Sequence, residues 1–200
     1  MTPQDRLPQI SLLAGLSLIL LALPFVTTYN DLLTTGAMRI GIVGPLQSVS
    51  PVEARMVVAM LQLFGVHAAA AGSQLVVWGP GGNATDLFIS WNCIGWQSLV
   101  LLGVSLAVGL RGRYSTEARL QVFLFGLLGT VLVNLVRVAL VCILAVIAGR
   151  TPAMLFHDYF GTLMTVTWLF VFWNVAQRWL LAEWRSLETE SRAGPVGFSS

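Results

Sequence analysis

Lysine is absent from this chain. All 11 basic residues are arginine, and with 9 acidic residues they bring the charged share to only 10% of 200 residues. An ordinary soluble domain carries about 25% charge and about 45–50% apolar residues; here the hydrophobic share is 56% and the mean hydropathy is +0.79. A chain of this size with seven Trp and so few charges lacks the polar surface that keeps a soluble fold dispersed. That excludes a soluble enzyme and a disordered chain alike. The arginines are scattered and form no basic stripe, so nothing points to nucleic acid as a partner. Cysteine is scarce too: Cys93 and Cys142, 49 positions apart, make neither a disulfide framework nor a zinc pattern.

What the sequence does have is long apolar runs. A hydrocarbon core about 30 Å thick takes roughly 20 residues per helix, and runs near 9–28, 94–110, 120–148 and 158–180 meet or approach that length. The expected fold is an all-α polytopic membrane protein of about four to six transmembrane helices, one integral domain over 1–186, with a flexible cytoplasmic tail at 187–200. The first run also fits a cleaved signal peptide, although only Arg6 flanks it, beside Asp5. With the N-terminus inside, the cytoplasmic pieces hold seven of the eleven arginines, Arg6, Arg111, Arg113, Arg119, Arg178, Arg185 and Arg192, as expected where positive loops stay in the cytoplasm. Between the first two spans, residues 29–92 form an extracytoplasmic segment. Within it, 52–66 has helical periodicity and fits either an interfacial or a membrane helix. Residues 74–78 (QLVVW) and 86–90 (DLFIS), separated by Gly79-Pro80-Gly81-Gly82, read as a small hairpin.

Depth arithmetic then picks out three residues. Cys93 is at the outer mouth of the second span and His157 at that of the fourth. Arg137 lies 17 residues above Leu120 at the cytoplasmic start of the third, about 25 Å up at 1.5 Å per residue, so all three share one level. A charged residue within a span is a functional hypothesis by default, and Asn134, three positions earlier, projects from the same helix face. The plainer reading has Arg137 reaching to lipid phosphate. Cys93 is flanked by Asn92 and Gly95, with Gln97 one turn on, a polar setting in which a thiol can serve as nucleophile if a nearby cation favours the thiolate. His157, followed by Asp158, is the matching general acid or base. Cys142, between Val141 and Ile143, and the isolated His67 read as structural.

In this order the residues resemble the exosortase and archaeosortase membrane transpeptidases. The resemblance covers roughly 51–165: a helical segment, an outer hairpin, Cys93-Ile94-Gly95 matching Cys-x-Gly, Asn134-x-x-Arg137 matching Asn-x-x-Arg, and His157 ahead of the last span. Two departures stand out. Ile94 follows the cysteine where the best-known members carry a small hydroxyl residue, and fewer spans precede the cysteine than in larger members. The resemblance implies an enzyme of the plasma membrane whose site faces outside and cuts the C-terminal tripartite tail (motif, transmembrane segment, basic cluster) of secreted proteins. It implies Cys93, Arg137 and His157 as the catalytic set, Asn134 holding Arg137 and Asp158 orienting His157. The implied acceptor is a lipid, and no metal or cofactor is required. Two other readings compete: a membrane cysteine protease that only hydrolyses, and a non-catalytic assembly or transport component in which Arg137 binds an anion or a partner helix.

Overall fold

A computed structural model describes residues 28–111 and 114–180. The run expected as the first span, save for Thr28, and the expected tail at 187–200 lie outside these residues.

Helical residues 28–40 (α1) lead through a turn into the short α2 (Val43–Gln47) and then α3 (Ser50–Leu63). Pro51 suits the first turn of α3, where its missing N–H costs nothing. Past the other end, Gly65 takes a φ of +74°, a conformation that suits glycine and stops a helix. The 14 residues of α3 rise about 21 Å, short of a bilayer core. Ala54, Val57 and Leu61 form its fully buried stripe.

The sheet exceeds the expected hairpin. Three antiparallel strands, β1 (Ala68–Ala71), β2 (Gln74–Trp78) and β3 (Ala84–Phe88), stand in the order β1-β2-β3. In register, Ala68 pairs with Val77, Leu75 with Leu87, and Val77 with Thr85. The strand expected at 86–90 lies instead at 84–88, because the turn closes early, with the Gly79 N–H donating to the Asn83 carbonyl at 2.9 Å. The four alanines of β1 carry little strand propensity of their own. Their small side chains let β1 pack closely on α3, with Ala68 buried against it.

Three apolar helices follow. The first, α4 (Trp96–Gly109), has 14 residues and rises about 21 Å. Next, α5 (Thr116–Ala148) runs for 33 residues from Ser115, whose side chain caps it by accepting from the Ala118 N–H. Gly149, at φ +90°, ends it and admits the reversal into α6 (Arg150–Leu155), which passes through a π turn at Phe156–Phe160 into α7 (Gly161–Val175). The last run therefore begins at Arg150 and not at 158, since Gly149 ends α5 and Pro152 fits the new first turn. Thr116–Ala148 and Arg150–Trp179 are each long and apolar enough to cross a membrane. Small residues set how closely these helices meet: a Cβ on Gly129 would lie 2.0 Å from the Trp168 ring, and the Trp168 indole donates to the Thr130 hydroxyl at 3.0 Å.

Two cores result. One joins α3, the inner sheet face and the C-terminal half of α5, with Cys142 inside it; the other joins α4, the start of α5 and Phe172 of α7. Asn134 and Arg137 project from α5 where the first core meets the other helices.

Candidate active site

Cys93 sits in the short turn between β3 and α4. Its N–H donates to the Ser90 carbonyl at 2.9 Å, and its Sγ is 3.4 Å from the Ser90 hydroxyl. Gln47 at the end of α2 holds the approach to this turn, accepting from the Trp91 N–H at 2.9 Å and donating to the Ile89 carbonyl at 3.3 Å. Gly95 then takes φ +74° and opens α4. A Cβ there would come within 2.6 Å of Asn134 Cγ, so the Cys-x-Gly spacing answers both a left-handed turn and a close approach to α5.

Asn134 does not hold Arg137, as the resemblance implied. Its Nδ2 donates to the Cys93 carbonyl at 2.9 Å and to Glu53 Oε1 at 2.7 Å. The amide faces the turn and α3, while the Arg137 side chain, nearly a full turn on, reaches toward the π turn. There the Arg137 Nη2 donates to the His157 carbonyl at 3.0 Å and lies 3.4 Å from His157 Nε2. His157 Nδ1 is 3.1 Å from Asp158 Oδ1. The ring thus stands between the Asp158 carboxylate at Nδ1 and the Arg137 guanidinium at Nε2. Gln97 donates to the Asn92 side-chain carbonyl at 3.0 Å, supporting the turn from one side without a hydrogen bond to Cys93.

The thiol is poised. Burial alone would raise it, but the hydrogen bond and charge of His157, followed by the hydroxyl and backbone contacts with Ser90, outweigh burial and bring Cys93 down to about 7 from the ordinary 9.0. A group lowered in this way is thiolate above that value and loses the thiolate as pH falls through it. In a Cys142→Ala background, alkylation of Cys93 by iodoacetamide should therefore rise with a midpoint near pH 7. His157→Gln should move that midpoint to about 9 or higher, because burial then meets only the Ser90 contacts. An unmoved midpoint would remove His157 as the source of activation.

A cavity of about 360 Å³ opens beside these groups, walled by Arg137, His157, Asp158, Gln97, Asn92 and Tyr29 among others. Cys93 adjoins it through Asn92 and His157 and is not itself among the lining residues. Gly161 fixes how the guanidinium sits, because a Cβ there would lie 2.0 Å from Arg137 Nε. Gly161→Ala should displace Arg137 and lower turnover roughly 10²-fold, the scale of a misplacement by about 1 Å, while the thermal midpoint falls by only a few degrees. Unaltered turnover would mean that the exact seat of Arg137 is immaterial.

Glu53, within the helical run at 52–66, escaped the sequence reading as a site residue. The one sequence signal was an acidic residue inside an otherwise apolar amphipathic run. The structure buries it at 7% exposure against Asn134. Among the described residues no group of three or more His, Cys, Asp or Glu could hold a metal ion.

Set beside known proteins, residues 7–174 match the family model described as transmembrane exosortase. No curated protein and no solved structure matches the chain.

Proposed function

The chain belongs to the transmembrane exosortase family, hence to a family of membrane proteins, and from that premise we propose that it is a cysteine transpeptidase that processes the C-terminal sorting tails of secreted proteins. The observation that carries this reading is a lowered Cys93 thiol beside His157, which Arg137 in turn touches where the two line the cavity.

In the proposed reaction the Cys93 thiolate attacks the scissile carbonyl. The C–N bond breaks with the proton on His157 passing to the departing amine, and a thioester remains on Cys93. The acceptor, a lipid amine in this reading, then gives its proton to His157 and attacks the thioester, which restores the thiolate. Arg137 stabilises the oxyanion of each tetrahedral intermediate, a task for which a partly dry site favours a fixed cation. Asp158 keeps the His157 ring oriented. The site faces the outside of the plasma membrane, where a tail spanning the bilayer delivers its cleavage motif at a fixed depth, so the bilayer supplies much of the positioning.

The test is mass spectrometry of surface-protein C-termini in the native host, comparing the unaltered enzyme with Cys93→Ala. A set of proteins that keep their hydrophobic tails only in the variant is the expected result, and the mass added to the normal products distinguishes lipid from water as acceptor. Identical profiles would overturn the reading and favour an assembly or transport role.

A further inference from the structure

Glu53 occupies a place that a carboxyl rarely takes. It lies in the first turn of α3, 93% buried, amid Ala54, Val57 and Leu61 of the main core. The groups that face it are Cys93 from the turn, Asn134 and Arg137 from α5, and His157 from the π turn. Only one of them donates to it: Asn134 Nδ2, at 2.7 Å from Oε1. Oε2 is buried with no partner among the described residues, and no arginine forms an ion pair with the carboxylate there. A buried charge persists only when paired and fully hydrogen-bonded, whereas a neutral carboxyl with one unmet position costs far less.

The same Asn134 nitrogen donates its second hydrogen to the carbonyl of Cys93 at 2.9 Å, and Gly95 closes on the amide with no space for a side chain. The order of contact is thus Glu53, Asn134, then the backbone of Cys93. We propose that Glu53 is a positioning residue that works in its uncharged form, fixing the Asn134 amide so that Asn134 fixes the Cys93 carbonyl and with it the direction of the thiol toward His157. The inference rests on the reading of Cys93 as nucleophile. Burial first, and Cys93 second, push the Glu53 carboxyl up to about 8, against the smaller opposing effects of Arg137, Asn134 and His157. The group is therefore neutral at pH 7 and ionises above about 8, where its new charge opposes the thiolate beside it.

Two variants, Glu53→Gln and Glu53→Ala, test this in the full chain. Processed surface protein is read in the host, and iodoacetamide alkylation of Cys93 against pH is read on detergent-purified protein carrying Cys142→Ala. Gln offers Asn134 the same acceptor without a charge, so Glu53→Gln should process within about 3-fold of the unaltered enzyme at pH 7. It should also steepen the upper part of the alkylation curve, which Glu53 ionisation flattens above about pH 8 by opposing the thiolate. Glu53→Ala should lose roughly 10-fold or more in processing. A folded Glu53→Gln protein that loses as much as Glu53→Ala would show that the charge itself is needed and overturn the proposal; so would a Glu53→Ala protein with unaltered processing and alkylation. If Glu53→Ala fails to fold, the rate and curve shape of Glu53→Gln still decide. If the unaltered enzyme processes nothing, the transpeptidase reading fails, and the alkylation curves judge Glu53 on their own.

Discussion

Cys93→Ser should abolish tail processing, with a loss of roughly 10⁴-fold or more, the scale seen when a covalent nucleophile is removed. The substitution is nearly isosteric, and the turn that presents the side chain is held by backbone groups: Cys93 N–H to Ser90, the Cys93 carbonyl to Asn134, and Trp91 N–H to Gln47. The fold should therefore survive while the chemistry stops. The activation described above is specific to sulfur. His157 and Ser90 bring a thiol to about 7, whereas a hydroxyl in the same place stays protonated throughout the physiological range. Pulse labelling of a tail-bearing surface protein, followed by its shift in mass, measures the effect. Hydroxylamine should release a trapped thioester from the unaltered enzyme and nothing from Cys93→Ser. Full processing by the serine variant would remove Cys93 from the mechanism.

The parts of this arrangement differ in how well the sequence announced them, and the differences have physical causes. The level shared by Cys93, Arg137 and His157 could be computed because a helix advances a fixed 1.5 Å per residue, and the bonds between Arg137 and His157 lie across adjacent helices at that level. The strands β2 and β3 were legible because glycines and a proline separate alternating apolar stretches. The strand β1 was not: AAAA has no alternation to read, and its place is set by packing against α3. Helix ends shifted wherever a glycine with positive φ decided them, at Gly65, Gly95 and Gly149, since sequence shows the glycine but not the sign of its φ. The partner of Asn134 was unreadable for another reason. Helical spacing shows which residues share a face, but Glu53 is 81 positions away, and only the packing of α3 on α5 brings the two together.

Arg137→Lys should be the second most damaging change, lowering processing by roughly 10²–10³-fold, the range for loss of one well-placed oxyanion donor. Lysine keeps the charge, so the outcome separates charge from shape. The guanidinium here does two things at once. Its Nη2 anchors on the His157 carbonyl at 3.0 Å and approaches the ring nitrogen at 3.4 Å, while its Nε lies buried with no partner among the described residues and pressed against Gly161. A planar fork can hold the π turn with one nitrogen and still present others to the cavity; an ammonium is a single point that must choose. The thiol adds a second discriminator. His157 and Ser90 carry most of the lowering at Cys93, so Arg137→Lys should move the alkylation midpoint much less than His157→Gln does, even though processing falls steeply. A large fall in processing with a nearly unmoved thiol assigns Arg137 to the oxyanion and not to thiolate formation. If Lys supports processing within a few-fold, the residue is serving as a charge alone, and the neutral Arg137→Gln variant should then carry the whole loss.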